Sequence, residues 1–153
     1  MKLLLNDLKK SPFSKLYLAI FTLISITNLY LVINREKYII FNSLEGNITE
    51  GHYEYINNIT SITTFLESLL LFIGIVFLIK IIFIKDKINL KQFFLINLGL
   101  FLIYGLVGSI ISVVIQVPIG NLMQLLLILP GIIIIGIILS LLKALHKKKT
   151  ILT

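Results

Sequence analysis

Side chains with the chemistry for catalysis are few in this sequence and lie in separate segments. The two histidines, His52 and His146, stand far apart in the chain, and cysteine is absent, which excludes thiol nucleophiles, thiolate metal sites and disulfides. The sequence contains no glycine-rich phosphate loop, no His-Glu-x-x-His zinc motif and no Gly-x-Ser-x-Gly elbow. Since an active site needs a convergent set of titratable groups, we expect no enzyme and assign no catalytic residue.

One short run, Glu50-x-His52-x-Glu54, contains possible metal ligands. On a strand these three side chains would share a face, and carboxylate oxygen and imidazole nitrogen suit hard or borderline cations. So short a spacing is permissive and arises often by chance. We therefore predict no metal site and no cofactor.

The composition identifies the elements that must position the remaining polar residues. Of the 153 residues, 58% are hydrophobic and 14% are charged, and the mean hydropathy is +1.03. A soluble domain carries roughly 25% charged residues, so this chain has too few to cover a water-facing surface. We infer an integral membrane protein.

Four apolar windows satisfy the length that a membrane-spanning helix requires, about 20 residues. They are 16–33, 65–84, 93–117 and 122–142. They predict an all-α, polytopic membrane protein in which four transmembrane helices form a bundle within a single domain, 1–153. The segments around them are a basic amphipathic N-terminus (1–15), a long loop (34–64), a short loop (85–92), a tight turn (118–121) and a basic tail (143–153).

The basic residues predict the orientation of the spans, since Lys and Arg are concentrated in cytoplasmic loops. Of the 14 basic residues, 12 lie in the N-terminal segment, around the second loop and in the tail, and only Arg35 and Lys37 lie elsewhere. With an even number of spans, those three regions share one side of the membrane. We predict cytoplasmic termini in a multi-pass protein of the cell membrane. The net charge of +7 then reflects topology and contact with anionic lipids, not nucleic acid.

Two connections carry further predictions. The long loop, 34–64, has Tyr- and Ile-rich runs on either side of Glu45-Gly46-Asn47, which could pair as a small β-hairpin. Alternatively, the chain from Tyr53 onward extends the second span as a helix. The turn at 118–121 is so tight that the third and fourth spans must be antiparallel neighbours.

The third span contains the most informative pattern in the sequence. At about 100° per residue, its small and polar residues fall within one arc, while the opposite face is aliphatic or aromatic. Such an arc favours close packing between helices in lipid, or else lines a water-filled pore. The residues of this arc are Asn97, Tyr104, Gly105, Gly108, Ser109, Ser112 and Gln116.

The fourth span divides at Pro130, which lacks a backbone donor and is expected to kink the helix. Before it, Gln124 shares a face with Gly131. After it, Gly136 and Ser140 begin a row of small residues suited to helix packing. A hinge at Pro130-Gly131 is the functional alternative to simple packing.

Glu67, near the outer end of the second span, is the only acid at membrane depth. An ionisable group inside a membrane is costly and is a functional candidate by default. Proximity to the interface offers a structural explanation, so both a binding role and interfacial placement stay open.

These patterns predict a small tetraspan protein that acts by protein–protein interaction in the bilayer, as an oligomeric subunit, sensor or immunity-type factor. We expect a homo-oligomer or a membrane-protein partner. One alternative is an oligomeric ion channel or small-solute permease lined by the polar face of the third span. A second is a membrane effector of a bacterial defence or toxin system, since the Lys and Ile bias is typical of AT-rich bacterial genes.

Overall fold

The computed structural model describes residues 12–44, 49–84, 90–118 and 124–151, and nearly all of them are helical. Helix α1 spans Pro12–Leu44 and α2 spans Glu50–Ile79, continuing as a π-helical turn over Lys80–Ile84. Helix α3 spans Leu90–Ile115. A 3₁₀ turn at Gln124–Leu127 leads into α4, Ile128–Ile151.

All four helices are long and apolar enough to cross a membrane, as the four windows predicted. The shortest candidate span, Gln124–Leu145, has 22 residues and therefore extends about 33 Å, against a hydrocarbon core of about 30 Å. The prediction of an all-helical protein with four such helices is confirmed.

The helices form an up-down-up-down bundle in which α1 contacts α2, α2 contacts α4, and α4 contacts α3. Helices α3 and α4 are antiparallel neighbours. The ring is closed between α1 and α3, where Tyr17 packs against Phe93. The core consists mainly of large apolar side chains from all four helices, among them Phe21, Leu70, Phe77, Ile96, Leu129 and Ile132.

The predicted long loop differs from the structure, because most of 34–64 is helical. Helix α1 continues to Leu44 and α2 begins at Glu50, so the helical alternative is the one observed, and residues 49–64 contain no strand. Packing between the two helices explains the extension: the ring of Tyr38 lies 4.4 Å from that of Tyr55. At the start of α2, the Thr49 N–H donates to His52 Nδ1 at 3.2 Å, which satisfies one free helix donor.

Helices α1 and α2 are therefore longer than the other two. Helix α1 has 33 residues and α3 has 26, a difference of about 10 Å at 1.5 Å per residue. Val32 packs beside Val117 just beyond the end of α3, so the excess length lies past this level. We call 36–44 together with 49–60 the projecting hairpin.

The sequence predicted that Pro130 kinks the fourth helix, but Pro130 does not lie inside a continuous α-helix. Pro130 is the third residue of α4, directly after the 3₁₀ turn Gln124–Leu127. In the first turn of a helix the missing N–H of proline costs little. The proline therefore accompanies the change from 3₁₀ to α geometry at the start of the helix.

Lysine side chains mark the opposite end of the bundle from the projecting hairpin. The ammonium of Lys143, on α4, donates to the carbonyl of Ile82 in the π-helical turn and lies 5.4 Å from the centre of the Phe83 ring. A cation is favourable at the carbonyl end of a helix and over an aromatic face. This contact joins the ends of α2 and α4.

Candidate functional site

The polar arc of α3 points largely into the bundle. Asn97 is completely buried; its Oδ1 accepts a hydrogen bond of 2.6 Å from the Tyr17 hydroxyl, and its Nδ2 donates to the Phe93 carbonyl at 2.9 Å. The sequence analysis did not single out Tyr17. The available signal was the need of a buried asparagine for a partner.

Tyr104 is also buried, but its hydroxyl has no hydrogen-bond partner among the described residues. The same is true of Ser25 Oγ on α1. Both residues line a cavity of about 120 Å³ between α1 and α3. These are the two buried side-chain polar atoms of the described residues that lack a hydrogen-bond partner.

The remaining residues of the arc pack against neighbouring side chains, bond to backbone carbonyls or end α3. Gly108 is buried, and a Cβ at Gly105 would lie 3.6 Å from the Leu126 side chain. Ser109 donates to the Gly105 carbonyl at 2.8 Å, and Ser112 donates to the Val117 carbonyl at 2.6 Å. Gln116 is exposed and has a φ of 54°, the left-handed conformation that commonly ends a helix.

Small residues on α4 hold it close to α2 and α3. A Cβ at Gly136 would lie 2.8 Å from the Phe94 ring and 2.9 Å from Leu78. Ser140 donates to the Gly136 carbonyl at 2.7 Å. On α2, a Cβ at Gly74 would collide with Ile132. These glycines permit the close approach of three helices.

A groove of about 720 Å³ lies between α2 and α4 and brings together residues from both. Glu67 lies beside Gln124 at the end nearer the projecting hairpin, and Gly131 lies further along the groove. A Cβ added at Gly131 would meet no atom within 4 Å. The remaining walls are apolar: Leu71, Leu127, Ile128, Ile134 and Ile135.

Glu67 is only half-buried in this groove. The one ion pair between described side chains joins Arg35 and Glu36, so Glu67 has no counter-cation among them. No hydrogen bond to its carboxylate is present in the described part of the chain. A carboxylate in a mainly apolar groove that has no partner among the described residues is suited to receive a donor or a cation.

The Arg35–Glu36 pair lies between α1 and α2 at the base of the projecting hairpin. Both residues are buried, the guanidinium contacts the carboxylate at 2.8 Å and 3.1 Å, and a third nitrogen donates to Thr60 Oγ1 at 3.4 Å. The sequence interpretation counted these residues only as loop charges. Neighbouring residues on a helix do not normally face each other, so no pattern indicated the pair.

Within the described ranges, no group of three or more His, Asp or Glu side chains could hold a metal ion. His52, one of the three residues considered as ligands, instead accepts the Thr49 N–H and packs edge-on against Tyr38 at 5.5 Å. Searches against family models, curated proteins and solved structures found no match to this chain.

Proposed function

We propose that this chain is a non-enzymatic protein of the cell membrane that binds another membrane protein within the bilayer. Its four helices span the membrane, with both termini in the cytoplasm. The groove between α2 and α4 receives a transmembrane helix of the partner. The single observation that carries the proposal is the Glu67 carboxylate in this open groove, which has no partner among the described residues.

Charge segregation supports the orientation. Lys15, Lys91 and Lys143 lie at one end of the bundle, whereas Glu50 and Glu54 are exposed on the projecting hairpin at the other, where Lys37 is the one exposed lysine of the described residues. Basic residues favour the cytoplasmic side. The projecting hairpin then lies outside the cell.

The shape of the groove supports a helix as its occupant. It extends from Gln124 in the 3₁₀ turn to Ile135 on α4, a length of about 17 Å or three helical turns. Association of helices in lipid depends on close backbone approach and on hydrogen bonds to polar groups. Gly131 permits close backbone approach, and Glu67 and Gln124 offer polar groups for hydrogen bonds.

The contacts made by the polar arc of α3 favour helix packing over the channel alternative. Asn97 is buried and hydrogen-bonded to Tyr17 and Phe93; Gly105 lies close to Leu126, and Gly108 is buried. A pore lined by this face would require the bundle to separate there. The channel and the defence-effector alternatives stay predictions from sequence.

Photocrosslinking in native membranes tests the proposal. A photoreactive amino acid replaces Ile134 in the groove or, as a control, Leu102 on α3; the two native side chains are 58% and 56% exposed. We expect one discrete protein adduct from position 134 and none from position 102. The adduct should disappear in Gly131→Leu and persist in Gly99→Leu, since Gly99 also has open space around it.

Equal adducts from both positions, or an adduct that survives Gly131→Leu, would show that the groove does not bind the partner. Ion flux through the purified wild-type protein in liposomes, abolished by Asn97→Leu in a variant that still folds, would replace the proposal with the channel.

A further inference from the structure

The groove carries one more inference, which rests on the proposed function. We propose that the partner helix presents a basic side chain, Lys or Arg, to the carboxylate of Glu67. The partner is thus recognised by an ion pair at the outer end of the groove as well as by apolar packing along its length.

The charge of Glu67 is the first reason to expect a basic side chain on the partner. A carboxylate inside a largely apolar site is stabilised only when it is paired and hydrogen-bonded. Glu67 has neither kind of partner among the described residues. The amide oxygen of Gln124, in the same groove, offers a second acceptor, and an ammonium or guanidinium group can use both.

No cation of the described residues supplies the missing group. Among the described residues, Lys15, Lys91 and Lys143 belong to the opposite end of the bundle, and Arg35 is engaged by Glu36. Lys80 lies 13 residues, or roughly 20 Å, further along α2 than Glu67, and Lys37 is exposed on the projecting hairpin, further from the level of Glu67 than Arg35. Thr60, the residue that Arg35 contacts on α2, precedes Glu67 by about two helical turns, or roughly 10 Å. A second copy in the same orientation would therefore bring none of the described cations level with Glu67, which favours a different protein as the occupant.

Position in the groove sets where the basic residue must lie. Glu67 and Gln124 occupy the end of the groove nearer the projecting hairpin, and the deeper walls are apolar apart from Gly131. The partner helix must therefore carry its Lys or Arg near its outer end. Below that residue it needs a face that packs against Leu71, Ile134 and Ile135.

Synthetic transmembrane peptides provide the test. One peptide is a Leu–Ala helix of about 22 residues with uncharged Gly-Asn ends and a single lysine about five residues from one end; its match has leucine there. Energy transfer from the labelled full-length protein to labelled peptide in vesicles measures association. We expect the lysine peptide to bind about tenfold more tightly than the leucine peptide. That preference should vanish in Glu67→Gln.

The glycine variants control for where the peptide binds. Binding of both peptides should be lost in Gly131→Leu and retained in Gly99→Leu. Equal binding of the two peptides to the wild-type protein would overturn the cation proposal and leave the groove as an uncharged helix site, which photocrosslinking at position 134 detects separately. Binding that survives Gly131→Leu would overturn it by placing the site elsewhere. Self-association of the labelled protein that excludes both peptides would overturn it by showing a second copy in the groove.

Discussion

The hydroxyl of Tyr17 donates a 2.6 Å hydrogen bond to Oδ1 of Asn97, and both side chains are almost completely buried. This bond joins α1 to α3 across residues that are 80 positions apart in the chain. The Tyr17 ring also packs 4.8 Å from Phe77 and 5.2 Å from Phe93. One tyrosine therefore links three of the four helices.

We predict that replacing tyrosine by phenylalanine changes the free energy of unfolding differently at Tyr17 and at Tyr104. Tyr17→Phe leaves Asn97 Oδ1 without its donor and should lower the free energy of unfolding by about 1–2 kcal/mol. Tyr104→Phe removes a hydroxyl that has no protein partner and should be neutral or slightly stabilising. Equilibrium unfolding in mixed detergent micelles measures both. A larger loss at Tyr104 than at Tyr17 would contradict this assignment of the two hydroxyls.

Glycine substitutions should separate packing positions from open ones. Gly136→Leu forces a side chain into Phe94 and Leu78 and should cost about 1–3 kcal/mol. Gly99→Leu enters open space and should leave the free energy of unfolding unchanged within about 0.5 kcal/mol. The same unfolding titration compares them. Equal stability of the two variants would show that α4 does not approach α2 and α3 as closely as the structure indicates.

Because Arg35 and Glu36 form a buried pair, we predict that the effects of replacing them on the free energy of unfolding do not add. Arg35→Leu leaves the Glu36 carboxylate buried without its partner and should cost about 3 kcal/mol or more, whereas the double substitution Arg35→Leu with Glu36→Leu should recover most of that loss. A double-mutant cycle on unfolding free energies measures the coupling. Additive single and double variants would indicate that the two side chains act independently.

The channel alternative yields a prediction at Asn97 and Gln116. Asn97→Leu should destabilise the bundle because the Tyr17 hydroxyl loses its acceptor. Gln116→Leu, at an exposed position, should change the free energy of unfolding only by the small cost of placing leucine in a left-handed backbone conformation. Neither should alter ion flux in liposomes, since we expect no flux from the wild-type protein. A wild-type conductance that Gln116→Leu reduces, with stability intact, would favour the pore.

Much of the fold could be predicted from the sequence, because length and hydropathy determine where helices of this kind lie. The four apolar windows fall within or largely within the four helices, and α3 and α4 are neighbours as predicted, while most of the predicted turn at 118–121 lies outside the described residues. The continuation of α1 through Lys37 was not predicted, and that of α2 through Tyr55 was predicted only as an alternative to a hairpin, since both depend on contacts between α1 and α2 that no single segment reveals.

The candidate site was predicted only as isolated residues. Glu67 stood out as an acid at membrane depth, and Gln124 and Gly131 as sharing a face of one helix. Their convergence depends on the register between α2 and α4, which is set by close contacts such as Gly74 against Ile132. Contacts of this type join residues distant in the chain, and one sequence carries no direct signal of them.

The arrangement of the four helices in the membrane is the claim on which every proposal here depends, and cysteine labelling tests it directly because the chain has no cysteine of its own. Glu54→Cys lies on the projecting hairpin and Lys148→Cys in the basic tail. A membrane-impermeant maleimide applied to intact cells should label position 54 and should reach position 148 only after permeabilisation. Labelling of position 148 in intact cells, with position 54 protected, would contradict the proposed topology.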